Sequence, residues 1–406
     1  MGRTGDFWRF AWANAITQTG TQVTVVALPL AALLTLDAGA FELGLLSAAE
    51  MLAFLLIGLP AGVWVDRSRR RPILIWSDVA RGVALLSIPV AAWLDVLTLP
   101  QLYAVALVLG VGTVFFDVAH MSFLPAIVTK ERLERGNGVL EVTRNTSLLA
   151  GPGLGGWAVA VLTAPIALLA DAVSYLLSAL LLSGVRAEES PRRSERRLRQ
   201  EVSEGIRFVA GERVLRRVAV GGALVMTANG ISTVGLPLYL VKELGVGSAQ
   251  YGLLLSAAAV GSLVGAALVA RVTARFGSGP ALYGSAVLAT VLYLPALATG
   301  PGWRLLIFPV ASSLFGMVTS IFGVAQLSYR QRITPDHLMG RVNASMRFLM
   351  WGAYPLGGLA GGALGEWFGG YAAFAAGVAL MGLAHLAVAT SPAIMRTAAK
   401  TSAKTS

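Results

Sequence analysis

The sequence predicts an all-α membrane protein in which twelve transmembrane helices form two six-helix bundles. Of its 406 residues, 56% are hydrophobic and only 13% are charged, and the mean hydropathy is +0.70. A soluble globular domain carries about 25% charged residues, so this composition is that of a membrane protein. Apolar runs long enough to cross a bilayer recur along the chain, and basic residues cluster in every second segment that connects these runs.

The apolar runs leave no room for a large soluble domain. A helix of about 20 residues crosses the hydrocarbon core. Proline and glycine inside several runs are compatible with spanning helices, because neighbouring helices can satisfy the freed backbone groups. An even number of spans puts both termini on one side. The predicted spans are 11–35, 41–65, 73–94, 102–125, 139–163, 165–185, 215–240, 251–270, 281–299, 303–327, 344–365 and 371–391.

Basic residues are distributed unequally between the two sets of connecting segments. With the N-terminus inside, all of the 32 Lys and Arg residues except Lys242 and Arg304 fall in or beside inside segments. The positive-inside rule therefore predicts that both termini are cytoplasmic, in the plasma membrane of a bacterium. The formal net charge of +11 is explained by this topology, and no nucleic-acid partner is expected.

The two halves of the chain resemble each other. Leu28-Pro29-Leu30 recurs 208 residues later as Leu236-Pro237-Leu238, and Arg135 recurs 206 residues later as Arg341. Transporters are often built from two such repeats, related by an axis along the membrane normal. The predicted domains are an N-terminal bundle at 1–185, a cytoplasmic loop at 186–214, a C-terminal bundle at 215–395 and a cytoplasmic tail at 396–406.

The central loop combines charge with apolar residues at helical spacing. Between residues 201 and 217 this spacing predicts an amphipathic helix on the inner membrane face, and a solvated linker is the alternative.

Several kinds of chemistry are excluded by residue content. Cysteine is absent, which excludes disulfides, thiolate nucleophiles and cysteine-bound metal clusters. The three histidines are scattered, and without a Gly-Lys dipeptide there is no P-loop. We therefore expect no cofactor, no metal site and no enzymatic activity.

The connection between the second and third predicted spans carries a cluster of charges. Gly62 precedes Asp66 by four residues, and Arg67, Arg70 and Arg71 follow. Charges at a helix end can clasp a neighbouring helix and release it, so this segment is a candidate gating motif. The alternative is a basic anchor that only sets the topology.

This segment resembles the loop signature of the major facilitator superfamily, with Arg69 where that family most often has glycine. The stretches 124–137, 171–176 and 331–343 are similar to the drug and siderophore exporter branch of that superfamily, which includes macrolide efflux proteins and the enterobactin exporter. The resemblance covers essentially the whole chain. It implies the major facilitator fold and secondary active transport by alternating access.

Ionisable residues inside spans cost about 2.5–3.5 kcal/mol on insertion scales, so they are functional candidates by default. Glu50, Asp117 and Asp171 are the candidates for proton coupling. Glu50 is preferred because no basic residue is close to it in sequence, and a structural role is favoured for Asp171. Glu141 and Arg144 are expected to form a buried intramembrane ion pair, which Asp117 could approach.

A substrate cavity is expected between the bundles. Asn14, Gln18 and Gln22 recur every four residues on one face of the first span, and lipid would disfavour this polar stripe. An apolar pocket with few polar groups suits small amphipathic molecules, although helix packing is the alternative for the aromatic residues. The other predicted cavity residues are Asn229, Thr233, Phe115, Trp351 and Tyr354.

Together these features predict a secondary active transporter that exports small amphipathic compounds, such as drugs, macrolides or siderophores, in exchange for protons. A facilitator or importer of a small nutrient would have the same architecture. A non-transporting membrane sensor or assembly protein is the second alternative. The expected partners are the small-molecule substrate, protons and the lipid bilayer, and nothing requires more than a monomer.

Overall fold

A computed structural model describes residues 2–129, 132–187, 189, 198–335 and 338–389. In these residues the regular structure is helical, and no β-strand occurs. The α-helices are α1 (Gly2–Leu30), α2 (Ala40–Asp66), α3 (Arg70–Trp93), α4 (Leu99–Ile127), α5 (Leu133–Leu162), α6 (Ala164–Ser183), α7 (Leu198–Gly211), α8 (Arg213–Pro237), α9 (Ser248–Phe276), α10 (Ser278–Tyr293), α11 (Ile307–Ile333), α12 (Met339–Trp351), α13 (Tyr354–Phe368) and α14 (Gly370–Ala389).

Ten helical segments of the described residues are long and apolar enough to cross a membrane. The predicted fifth span is not among them, because the uncharged second half of α5 is rich in glycine and contains Pro152, which lowers its hydropathy. The predicted eleventh span is divided into α12 and α13. Pro355 lies in the first turn of α13, where its missing backbone N–H is tolerated. With α5 and the α12–α13 pair each counted as one crossing, the predicted twelve-helix fold is confirmed.

The chain divides into two compact units. Unit 1 comprises residues 1–196 with 246–256, and unit 2 comprises 197–245 with 257–406. In unit 1, α1 packs against α5 and α6, α2 packs against α4, and α3 packs against α4 and α6. In unit 2, α8 packs against α13 and α14, and α10 packs against α11 and α14. Each unit thus has its own helix-packed interior.

The two units repeat the same backbone irregularities. Pro29 near the end of α1 precedes a π-helical turn at Ala31–Thr35, and Pro237 at the end of α8 precedes one at Leu238–Glu243. Helices α3 and α10 begin 208 residues apart, and α4 and α11 end 206 residues apart. We therefore pair residues of α1 and α3 with those 208 positions later, and residues of α4 and α6 with those 206 positions later.

The helix before α8 is shorter than predicted. Helix α7 ends at Gly211 and α8 begins at Arg213, whereas the sequence predicted one amphipathic helix over 201–217. Glu212 between them has an extended backbone, with φ −85° and ψ 115°, which interrupts the helical path.

Helix α7 is attached to unit 2 by packing and by charge. Val209 is buried, α7 packs against α12, and the Glu204 carboxylate lies 2.5 Å from Nη1 of Arg341. Residues 190–197 of the predicted loop and 390–406 of the predicted C-terminal bundle and tail lie outside the described residues.

Candidate functional site

A charged cluster lies inside unit 1, where α1, α3, α4 and α6 meet. Asp78 and Arg81, one turn apart on α3, form an ion pair in which Oδ1 lies 2.5 Å from Nη2. Both side chains are almost completely buried, and Asp171 on α6 is fully buried as well. By contrast, the pairs Asp6–Arg9, Glu141–Arg144 and Glu204–Arg341 each have at least one side chain that is about half exposed.

Two aromatic rings enclose the Arg81 guanidinium. Its Cζ lies 4.3 Å from the ring centroid of Tyr175 and 4.5 Å from that of Phe116. Nη1 donates a hydrogen bond to Thr113 Oγ1 at 3.3 Å, and Nε donates to the Ser77 carbonyl at 3.4 Å. Cation–π contacts contribute about 2 kcal/mol when they are desolvated. The rings therefore offset part of the cost of burying this charge.

Hydroxyl groups from two helices hold Asp171. Thr24 Oγ1 on α1 donates a hydrogen bond to Oδ2 at 2.5 Å, and Ser174 Oγ donates to Oδ1 at 2.8 Å. The neighbouring Tyr175 hydroxyl lies 3.0 Å from Thr21 Oγ1 on α1. Both oxygens of the carboxylate thus have hydrogen-bond donors, and these tie α6 to α1.

One basic residue interacts electrostatically with several acids in this cluster. Asp78, Asp117 and Asp171 all interact electrostatically with Arg81. In the described part of the chain, Arg81 is the basic residue that interacts with Asp78 and with Asp171. Two of the three predicted coupling acids, Asp117 and Asp171, are therefore brought together around a residue that the sequence did not single out.

Two glycines make room for the cluster. A Cβ atom at Gly20 on α1 would overlap Ser174 Oγ and Asp171 Oδ1. A Cβ atom at Gly112 on α4 would lie 2.6 Å from Cγ of Arg81, which is also too close. Because these positions have no side chain, α1 can approach Asp171 and α4 can approach Arg81.

Asp78 and Arg81 are candidates that sequence reasoning missed. Both lie inside the predicted third span, 73–94, so the rule that singled out the other buried acids also applies to them. When basic residues are counted to predict topology, Arg81 is assigned to the inside segments, so its pairing with Asp78 goes unnoticed. The sequence signal that could have revealed the pair is an acid and a base three residues apart within an apolar run.

Unit 2 contains a cavity of about 350 Å³ between α8, α11, α12 and α14. Most of its lining is apolar or aromatic, including Phe315, Phe322, Met350 and Met381. None of the lining residues is an acid, a lysine or an arginine. The cavity is therefore suited to an uncharged, largely apolar molecule.

A few polar groups converge on this cavity. Asn229 lines it and donates from Nδ2 to the Val225 carbonyl at 2.9 Å. Gln326 also lines it, and its Nε2 is buried without a hydrogen bond to any described residue. His385 Nδ1 lies 2.8 Å from the Met381 carbonyl. The unused donor of Gln326 is available to an acceptor atom on a bound molecule.

The predicted gating motif contacts the ends of neighbouring helices. Arg70 Nε donates to Ser122 Oγ on α4 at 3.0 Å, and Arg71 Nε donates to the Leu182 carbonyl of α6 at 3.1 Å. The backbone N–H groups of both arginines donate to the Glu189 carboxylate, which caps the N-terminus of α3. Sequence reasoning missed Glu189, because it lies in the arginine-rich linker and only the fold brings it to α3.

Gly62, Asp66 and Arg67 are the other members of this motif. A Cβ atom at Gly62 would have no atom within 4 Å. Arg67 is exposed. The Asp66 side chain lies outside the described residues, so a gating role for this segment stays a prediction.

Glu50, the preferred coupling residue, is half-buried on α2. It is not among the groups that interact with Arg81, and it forms none of the ion pairs of the described chain. A coupling role for Glu50 also stays a prediction.

Glu141 and Arg144 are paired but exposed. Arg144 Nη2 lies 2.6 Å from Glu141 Oε1, and Asn145 Nδ2 donates to the same oxygen at 3.2 Å. The Arg144 and Glu141 side chains are 52% and 57% exposed, so the expectation of a buried pair is wrong. The reason is that α5 turns these residues to an exposed face, where Val142 is also 68% exposed.

The predicted cavity residues of unit 1 lie on α1 and α4. Asn14 is buried, and its Oδ1 has no hydrogen bond to a described residue. Gln18 and Gln22 are half-buried on the same helix. Phe115 stacks on Trp64 of α2, with ring centroids 6.0 Å apart.

The predicted cavity residues of unit 2 lie on α8, α12 and α13. Thr233 Oγ1 and the Tyr354 hydroxyl are 2.6 Å apart and join α8 to α13. Asn229, one turn before Thr233, lines the cavity, and Trp351 is half-buried at the end of α12. Within the described ranges, no group of three or more His, Asp or Glu side chains is placed to hold a metal ion.

Known proteins resemble this chain over most of its length. The family model of the Major Facilitator Superfamily matches residues 10–353 and, in an overlapping match, 218–405. The multidrug efflux pump Tap of Mycobacterium tuberculosis is 29% identical over 396 residues, covering 92% of this chain and 90% of Tap. The enterobactin exporter EntS of Escherichia coli is 25% identical over 303 residues, covering 73% of this chain and 70% of EntS.

Solved structures share the fold at low sequence identity. A bacterial homologue of the iron transporter ferroportin is 18% identical, with a TM-score of 0.75 over 95% of this chain and 99% of that one. The nucleoside transporter NupG is 11% identical, with a TM-score of 0.73 over 96% of this chain and 98% of its own. This chain therefore belongs to the major facilitator superfamily, as a multi-pass membrane transporter of small molecules.

Proposed function

We propose that this protein exports small amphipathic compounds from a bacterial cytoplasm in exchange for protons, with both termini on the cytoplasmic side of the inner membrane. The observation that carries the substrate class is the uncharged cavity of unit 2, with its aromatic lining and the unused donor of Gln326. The similarity to Tap, a multidrug efflux pump, supports the direction of transport.

Proton coupling is proposed for unit 1. Export against a gradient requires a group that gains a proton on one side of the membrane and loses it on the other. Asp117 and Asp171 lie around Arg81 in the charged cluster, and Glu50 is a separate acid on α2. The proposed division is therefore that unit 1 handles the proton and unit 2 contributes to binding the exported compound.

Everted membrane vesicles test direction and coupling together. A lipophilic fluorescent dye is supplied outside the vesicles, and an acid-inside pH gradient is imposed. We expect dye accumulation that a protonophore abolishes. Equilibration without accumulation would support the facilitator alternative, and no flux in any condition would support the sensor alternative.

The cavity can be tested by filling it. Val218 lines the cavity and is 4% exposed, whereas Val220 on the same helix is 54% exposed. We expect Val218→Phe to weaken dye binding about tenfold, equivalent to about 1.4 kcal/mol, measured by fluorescence titration of purified protein. Val220→Phe, the matched control, should bind like wild type. Unchanged binding by a monodisperse Val218→Phe protein would rule out this cavity as a substrate site.

A further inference from the structure

The charged cluster of unit 1 has more acid than base. Asp78 and Asp171 are both 0% exposed, and Arg81 is 4% exposed. With both carboxylates ionised, the one guanidinium leaves a net negative charge away from water, which is costly. One bound proton makes the group of these three residues neutral. The cluster therefore has the charge balance of a proton-binding site.

The two carboxylates differ in their hydrogen bonds. Asp171 accepts one from Thr24 and one from Ser174, so each of its oxygens has a donor. Asp78 pairs with Arg81 through Oδ1, whereas its Oδ2 is buried and makes no hydrogen bond of normal geometry with a described residue. Donors favour an ionised carboxylate. Oδ2 of Asp78 is consequently the carboxylate oxygen that Arg81 does not already hold, and we take it as the oxygen that binds the proton.

The titratable groups around the Asp78–Arg81 pair come from three helices. Arg81 shares α3, Asp117 lies on α4, and Asp171 and Tyr175 lie on α6. In the described part of α1, the groups that face the cluster are hydroxyls, such as that of Thr24. Ser178 on α6 also faces Asp78 with a buried hydroxyl.

We propose that this cluster is the proton-coupling site of the transporter, with Asp78 as the proton carrier and Arg81 as a positioning residue that exchanges Asp78 for Asp171. The proposal rests on the proton-driven export proposed above and names the residues that perform it.

The aromatic rings make the exchange possible. Stacking between Tyr175 and Phe116 holds the guanidinium without fixing one set of hydrogen bonds, so it can slide within this sandwich. A proton from the outer solution binds Oδ2 of Asp78, forms an O–H bond and cancels the charge that holds Arg81. Arg81 then pairs with the ionised Asp171. Release of the same proton to the cytoplasm restores the Asp78 pair.

Each exchange changes the attraction between helices. Pairing of Arg81 with Asp78 is confined to α3, whereas pairing with Asp171 joins α3 to α6. Asp171 is in turn bonded to α1 through Thr24. One proton can thus alter the packing of three helices inside unit 1, which is the requirement for coupling protonation to a conformational change.

Proteoliposomes separate coupling from transport. Purified protein is reconstituted, and two rates are measured with the dye of the vesicle assay: accumulation driven by a pH gradient, and exchange of labelled for unlabelled dye without a gradient. Asp78→Asn keeps the side-chain size but cannot carry a proton. We expect it to lose driven accumulation to the level of protein-free liposomes and to retain exchange.

Two further variants serve as controls, one for folding and one for the removal of a carboxylate outside the cluster. Asp78→Asn combined with Arg81→Gln removes one acid together with the base, and Asp171 keeps its hydrogen bonds from Thr24 and Ser174. This variant should therefore fold, exchange dye and remain uncoupled. Glu141→Gln removes an acid that is 57% exposed and should retain driven accumulation. Driven accumulation by Asp78→Asn overturns the proposal. Parallel loss of exchange and monodispersity in both Asp78 variants overturns it too, because the role is then structural.

The wild-type protein distinguishes this proposal from the function on which it rests. Wild-type exchange without driven accumulation would contradict proton-coupled export itself. Driven accumulation by both wild type and Asp78→Asn would contradict only the assignment of the carrier.

Discussion

The two units repeat several helix boundaries but differ in the side chains that their interiors contain. Asp78 and Arg81 on α3 correspond, 208 residues later, to Ala286 and Ala289 on α10, and both alanines are fully buried. An ion pair in one repeat is therefore replaced by two methyl groups in the other. The comparison teaches that the helix framework does not require the charged cluster, because the same packing forms without it.

The same contrast holds for the space inside each unit. In unit 1, Phe10 stacks on His120 with ring centroids 4.8 Å apart. The paired residues in unit 2 are Val218 and Gln326, and both line the cavity. Smaller side chains at these positions leave room that the rings fill in unit 1. At these paired positions unit 1 has stacked rings and unit 2 has a cavity, although unit 1 has pockets elsewhere, one of them next to Trp76 on α3.

Asp171 and its neighbour Gly20 are also replaced by uncharged residues at the paired positions of unit 2. Asp171 corresponds to Gly377, 206 residues later, and Gly20 corresponds to Ala228, 208 residues later. Unit 2 has no acid opposite this part of α8, so an alanine is accommodated there and is fully buried. In unit 1 the acid and the missing Cβ occur together, which indicates that α1 is shaped to fit the cluster.

The largest effect on this comparison is expected from Arg81→Ala. It leaves Asp78 and Asp171 without a cation, and breaking a buried pair in this way costs about 3–5 kcal/mol. The matched change in unit 2, Ala289→Gly, should cost about 1 kcal/mol through helix propensity. Unfolding of the purified proteins in detergent measures both. Equal midpoints for the two variants would contradict the claim that only unit 1 depends on buried charge.

Gly20→Ala should have an intermediate effect. The added Cβ overlaps Ser174 and Asp171, and overpacking of this kind costs about 1–3 kcal/mol. Gly284 on α10 has no atom within 4 Å of an added Cβ, so Gly284→Ala should be neutral or stabilise by up to about 1 kcal/mol. The same unfolding measurement applies. A neutral Gly20→Ala would show that α1 does not need this close approach.

The smallest effect is expected from Glu141→Gln. Its pair with Arg144 is about half exposed on both sides, and exposed pairs contribute less than about 1 kcal/mol. The comparison with Arg81→Ala thus sets an exposed ion pair against a buried one within the same unit. A loss as large as that of Arg81→Ala would mean that the exposed pair is enclosed by a partner or by lipid in the working protein.

Sequence reasoning was most successful for features that depend on many consecutive residues, such as membrane spans and sequence motifs. Hydropathy predicted the positions of the spans, and motifs such as that around Asp66 predicted the superfamily. It was less successful at helix ends, since the eleventh span is divided just before Tyr354 and the linker helix ends before Glu212. It was least successful for the site, because Arg81 was assigned by position to the membrane border, although its partners lie on other helices.

The sequence by itself determined that the chain is a twelve-helix membrane protein built from two repeats. This is so because the cost of burying each residue in lipid depends on its own side chain and sums over a span. Only the tertiary structure decided which ionisable residues share a site and where empty space remains. Arg81 meets Thr113 and Tyr175 through contacts between helix faces, and such contacts depend on rotation and packing that local sequence does not specify.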